Sequence, residues 1–160
     1  HGDNLGSLGL VQKGGPNEES IRVPLLIRYP AALAPRVVGG QVASLVDVAP
    51  TLLDLAGAEA PSHMAGRSLL AAARGASLQP GHAFVEIGRG VAVRMPTHML
   101  YIPAGPDGAL ASAPAAFYDL DADPYEMANL AGTGEQAQVA AELEALVRKW
   151  DRETPWMREG

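Results

Sequence analysis

The residues best placed to do chemistry are His1 and Lys13, twelve positions apart in a Gly- and Pro-rich stretch that ends at Lys13-Gly14-Gly15-Pro16. A neutral imidazole can serve as a metal ligand, and a lysine ammonium is a compact charge suited to an anionic oxygen. Glu18-Glu19-Ser20 follows, and then the apolar run Val23-Pro24-Leu25-Leu26-Ile27. A histidine and a lysine on loops leading into a buried strand are parts from which an α/β hydrolytic site can be built.

Such residues need elements to position them. Residues 23–29 read as a short, nearly continuous apolar strand of the kind helices cover in a parallel sheet. Residues 30–40 read as a turn. Residues 44–57 carry a helical pattern with Leu45, Val48, Leu52 and Leu55 on one face, Ser44 or Asp47 as cap and Gly57 at the end. Residues 58–81 read as loop, with a helical patch from Leu69 to Arg74. From His82 the pattern changes. Ala83–Ile87, Val91–Arg94, Met99–Ile102 and Phe117–Leu120 are four short strands separated by turns, the spacing of a small antiparallel sheet. Glu135–Asp151 is an amphipathic helix whose face of Val139, Leu143, Leu146, Val147 and Trp150 is expected to lie on that sheet.

The expected fold class is therefore α/β: the end of a parallel α/β layer in residues 1–81, then a four-stranded antiparallel sheet with a C-terminal helix in residues 82–160. One parallel strand does not make a sheet. Its neighbours are expected from chain preceding His1, which makes these residues the C-terminal portion of a larger protein. An unpaired apolar edge at 23–29 would invite self-association.

Composition narrows the function classes. Twelve Lys and Arg against eighteen Asp and Glu give a formal net charge of −6, which argues against non-specific nucleic-acid binding. A local cation can still hold a small anionic substrate inside an acidic chain. The absence of cysteine excludes disulfides and thiolate metal sites. No apolar run approaches the roughly 18 residues of a membrane span.

The runs His1-Gly2-Asp3, Lys13-Gly14 and Glu18-Glu19-Ser20-Ile21-Arg22-Val23-Pro24 resemble the sulfatase family of the alkaline-phosphatase-like superfamily. So do residues 44–57, the run Gly66-Arg67-Ser68-Leu69, and the closing Phe117-Tyr118-Asp119-Leu120 with Asp123-Pro124-Tyr125-Glu126 and Asn129-Leu130. The resemblance implies a metal-dependent hydrolase of small-molecule sulfate monoesters. His1 would be a ligand to a divalent metal, calcium in most of the family, and Lys13 the catalytic and substrate-binding cation on the sulfate oxygens. The family nucleophile is a formylglycine made in a Cys/Ser-x-Pro-x-Arg motif, which is not in this chain and is expected upstream, as are the aspartate metal ligands. The chain by itself is accordingly expected to be inactive. Two other readings stay open: a phosphate or phosphonate monoester hydrolase of the same superfamily, and a non-catalytic remnant or interaction module.

The remaining polar residues are expected to be structural. Glu18 and Glu19 read as solvated charges at a helix start, and Arg22 as a tie between loops. His63, His82 and His98 lack ligand spacing among themselves. Asp119, Asp121 and Asp123 alternate as in a calcium loop but miss its glycine and terminal glutamate, so they read as turn and cap residues. Trp150 and Trp156 are expected to pack on the sheet.

Overall fold

The computed structural model describes residues 1–88 and 90–154; the expected packing of Trp156 lies outside them. The chain forms two compact units, one made of His1–Pro24 with Phe84–Gly160 and the other of Leu25–Ala83. No helix among the described residues is long and apolar enough to cross a membrane.

The first unit is built on a four-stranded antiparallel sheet in the order β1 (Ala83–Ile87), β2 (Gly90–Arg94), β3 (His98–Pro103), β4 (Ala116–Asp119). Val93 pairs with Leu100 across β2 and β3, and Leu100 with Phe117 across β3 and β4. Alternation sends Val91, Val93, Leu100, Ile102 and Phe117 to one face, where Leu143 and Val147 of the C-terminal helix α4 (Ala137–Glu153) close a fully buried core. Val139, Leu146 and Trp150 flank it, with the Trp150 ring 5.5 Å from that of Phe84. The i, i+4, i+7 spacing of apolar residues in α4 dictates this packing. The opposite face buries Ile87, Ala92, Met99 and Leu120, with Ile21 packed against them. Both faces are thus covered, and the strands and helix lie within two residues of their expected bounds.

Ile21 belongs to α1 (Glu18–Ile21), the single turn that follows the Lys13 loop. Glu126, only 2% exposed, accepts the Glu18 backbone N–H at 2.8 Å. The Glu18 carboxylate in turn takes a two-pronged bond from Arg94 on β2, with Nε to Oε1 at 2.7 Å and the second guanidinium nitrogen to Oε2 at 2.8 Å. Paired geometry of this kind is the strong form of the ion pair. It corrects the expectation that Glu18 and Glu19 are solvated. Glu18 is turned inward by the guanidinium, and one carboxylate oxygen of Glu19 is buried with no hydrogen-bond partner.

In the second unit, residues 44–57 are helical as expected, first as a short 3-10 turn (Leu45–Asp47) and then as α2 (Val48–Leu55). The inward face differs from the apolar pattern. Leu45 and Leu52 are exposed, whereas Asp47, Pro50 and Thr51 are buried. Hydrogen bonding explains the inversion. Asp47 accepts the backbone N–H groups of Ser44 and Arg67, at 2.9 and 3.0 Å, so it cannot face solvent. The Thr51 hydroxyl donates to the Asp47 carbonyl at 2.6 Å and accepts the Leu69 N–H at 2.9 Å. These bonds tie α2 to the segment entering α3 (Leu70–Ala73), the helical patch expected there.

Residues 23–29 form no ladder with any described strand, and Leu26 is 88% exposed. The apolar pattern of a strand is present, but a strand needs a neighbour to take its backbone hydrogen bonds. The segment consequently carries no regular secondary structure.

Two outcomes follow for the first unit. Phe117→Ala should destabilise it by about 3–5 kcal/mol, the scale for emptying a buried aromatic site, measured by chemical denaturation. Glu126 has its carboxyl pushed above the usual range, first by burial, with the Glu18 and Glu19 charges adding. A raised carboxyl favours the folded state at acid pH, and that contribution is lost as pH rises through its folded value. Glu126→Gln keeps an acceptor for the Glu18 N–H and removes the charge. Its stability relative to the parent should therefore improve between pH 4 and pH 8; a difference independent of pH would show that folding does not raise the Glu126 carboxyl.

Candidate functional site

The loop from His1 to Lys13 is closed by its own backbone. The Asn4 N–H donates to the Gln12 carbonyl at 2.7 Å and the Gly6 N–H to the Leu10 carbonyl at 2.9 Å. This brings the two ends together: Lys13 Nζ lies 2.6 Å from His1 Nε2. His1 Nδ1 lies 2.9 Å from the Gly2 carbonyl. Nδ1–H must donate there, because a carbonyl only accepts, which leaves the Nε2 lone pair to accept from the ammonium. Hence His1 is neutral in this arrangement. Of the three ammonium protons one is used, and among the described residues no other acceptor engages the remaining two, which can meet an incoming anionic oxygen.

Two glycines permit the close fit. A Cβ on Gly2 would run into the Glu19 carbonyl oxygen. Gly14 has φ of 119°, a region L side chains rarely enter. Two nearby carboxylates are engaged, Asp3 accepting the Leu5 N–H at 2.8 Å and Glu18 held by Arg94, whereas one oxygen of Glu19 is buried without a partner. Both His1 and Lys13 are exposed. The pair is a preformed cationic point at the surface of the first unit, able to bind a tetrahedral oxyanion through Nζ.

His1 alone does not make a metal site. Its Nε2 lone pair is occupied by Lys13, and among the described residues no three His, Cys, Asp or Glu side chains gather closely enough to hold a metal ion. A calcium ion would need several further oxygen donors, so the residues present do not fit the metal by themselves.

The other sequence candidates fall into structural places. His98 bonds to the Thr97 hydroxyl at 2.8 Å and to Gln136 at 2.7 Å, and its ring stacks on Phe117. His82, in the second unit, is held below its ordinary pKa by burial and by the Arg67 charge. His63 is exposed in a loop of that unit. Asp119 accepts the N–H groups of Asp121 and Ala122, and Asp123 accepts that of Ala128, as turn residues do. The Gln136 side chain, ahead of the other contacts, lowers the Asp119 pKa. Arg22 lies 3.6 Å from Glu18 and is largely exposed.

Sequence reasoning passed over three residues that fix the loop: Ser20, Arg94 and Glu126. Glu126 lies in the closing motif, so its position was marked although its burial was not. Ser20 likewise lies in a run that carries the family resemblance, but nothing in the sequence shows that it is buried and touches both arms of the loop.

Residues 6–82, which include Lys13, match the family model described as N-sulphoglucosamine sulphohydrolase, C-terminal. The chain is 35% identical over 164 residues to the choline-sulfatase of Rhizobium meliloti, covering 96% of this chain and 30% of that protein. It is 30% identical over 172 residues to the multifunctional alkaline phosphatase superfamily protein PehA of Trinickia caryophylli, covering 94% and 32%. Among solved structures, a protein in complex with its substrate D-glucosamine-2-N,6-O-disulfate superposes with a TM-score of 0.71 at 31% identity, covering 92% of this chain and 32% of that one. The chain thus spans about a third of the length of each of these proteins. The likeness runs through the Lys13 loop, the α2 segment and the sheet in one continuous order, and on that ground the chain belongs to the sulfatase family.

Proposed function

We propose that these residues are the C-terminal portion of a hydrolase of sulfate monoesters, in which Lys13 holds the sulfate oxygens. The observation that carries this reading is the 2.6 Å contact between Lys13 Nζ and neutral His1, on a loop locked to the sheet. Cleavage of a sulfate monoester moves negative charge onto the leaving oxygen and redistributes it over the non-bridging ones. A fixed ammonium with two unused protons opposes that charge without having to reorganise. The Asn4–Gln12 and Gly6–Leu10 bonds fix the loop in advance, so little entropy is spent on placing the cation.

The reading assigns the nucleophile, a formylglycine by family resemblance, to residues beyond these 160. It makes His1 a metal ligand only together with donors from the same source, and only once Lys13 gives up the Nε2 lone pair. Sulfated sugars are the first substrates to test, since one relative was solved with a sulfated glucosamine. The similarity to a multifunctional alkaline phosphatase superfamily protein favours a second reading, a phosphate or phosphonate monoester hydrolase. Sulfate and phosphate esters of one alcohol, offered to a full-length protein carrying these residues, separate the two by their kcat/KM ratio.

In that full-length protein Lys13→Ala should lower kcat/KM by about 10²–10³, the scale for losing one preorganised charge-stabilising donor. Lys13→Arg should restore little, because a planar fork does not replace a point ammonium. A rate within threefold of the parent for Lys13→Ala would make the lysine an ordinary surface residue. For the 160-residue chain itself, calorimetry should detect no calcium binding tighter than about millimolar, since tight sites gather 6–8 oxygens. Micromolar binding would reveal ligands that the geometry does not bring together.

A further inference from the structure

Ser20 joins the two ends of the His1–Lys13 loop. Its backbone carbonyl accepts the Gly2 N–H at 2.8 Å, next to His1, and its hydroxyl oxygen accepts the Gly14 N–H at 3.3 Å, next to Lys13. Ser20 itself is 4% exposed. Its own N–H donates to the Asn17 carbonyl at 2.8 Å within the turn of α1. That turn is held from outside by Glu126 at the Glu18 N–H and by Arg94 at the Glu18 carboxylate.

We propose that Ser20 is the positioning residue that sets the distance between His1 and Lys13, and so holds the Lys13 ammonium where an anionic substrate meets it. The two bonds do different work. The carbonyl bond is a property of the backbone and survives any substitution. The hydroxyl bond alone depends on the side chain, and it holds the lysine arm. Gly14, with its positive φ, has no local secondary structure to keep its N–H in place. Loss of the hydroxyl should free the lysine arm and leave the histidine arm pinned. Misplacing a charge-stabilising group by about 1 Å can cost up to 10²-fold in rate, so a side chain that never touches substrate can matter to turnover.

The inference rests on Lys13 being the substrate cation, and the tests keep the two apart. In the 160-residue chain, the imidazole ¹⁵N shifts of His1 report which nitrogen carries the proton. The parent should show the Nδ1–H form, with Nε2 accepting from Lys13. Ser20→Ala should move His1 toward a mixture of tautomers with little loss of the thermal transition, and Ser20→Thr, which keeps the hydroxyl, should restore the parental signal. In the full-length protein Ser20→Ala should lower kcat/KM about tenfold. An unchanged His1 signal in Ser20→Ala overturns the inference whatever the rate does. If Ser20→Ala fails to fold, hydrogen exchange in the parent decides: the Gly14 amide should be protected at least tenfold, and exchange at the rate of an unstructured glycine overturns it. Failure of the Lys13 reading appears separately, as an unaffected rate in Lys13→Ala.

Discussion

The buried carboxylate of Glu126 is the contact on which the arrangement of the first unit depends. It accepts a backbone N–H from Glu18, 108 positions earlier in the chain, and so joins the loop segment to the turn after β4. A carboxylate in such a place is costly, because burial disfavours its charge and the neighbouring glutamates disfavour it further. The cost is offset by the Glu18 N–H and by Arg94, whose guanidinium neutralises Glu18 beside it. Removing one member would leave the others buried without partners, which is the expensive way to break such a network. Glu126 also holds a left-handed backbone conformation, with φ of 56°, so the chain is bent locally to bring its carboxylate inward.

That network explains how an exposed loop can be rigid. His1, Lys13 and most of the residues between them are exposed, and exposed loops are ordinarily the mobile part of a protein. Here the restraint comes from beneath. Ser20 and Asn17 are buried, and Ile21 packs on the sheet. Thus α1 is tied to the sheet by apolar contact as well as by Glu126 and Arg94, and to the loop by the hydrogen bonds of Ser20.

Much of this was legible from periodicity. The alternation in β2 and β3 and the spacing of Val139, Leu143, Leu146, Val147 and Trp150 located the sheet and α4, because burial of an apolar face decides those elements. Periodicity misled at α2, where Leu45 and Leu52 suggested an inward face that Asp47 and Thr51 occupy. Side-chain bonds to a loop twenty residues on are invisible to an apolar pattern. It also misled at Glu18, since the partner that turns it inward, Arg94, is 76 residues away. The chemical pair was legible from residue type and from resemblance to a family. The serine that joins its two arms stood in a run carrying that resemblance, but its role was not legible, because the sequence does not show which backbone groups its hydroxyl and carbonyl meet.

The division of the chain into units has a consequence for the order of assembly. Residues 1–24 belong with residues 84 onward, while 25–83 form a unit of their own. The loop therefore emerges during synthesis well before the strand and the turn that anchor it. Closing a span of this length costs slowly growing entropy, about 0.6 kcal/mol for each doubling, and it can be recovered only once β2 and the turn after β4 exist. Local elements such as α2 and α4 can form early, whereas contacts of this sequence separation come late. The bonds that close the cationic pair lie within residues 1–20 and are local, so what waits for β2 and the turn after β4 is the anchoring of that closed loop to the sheet.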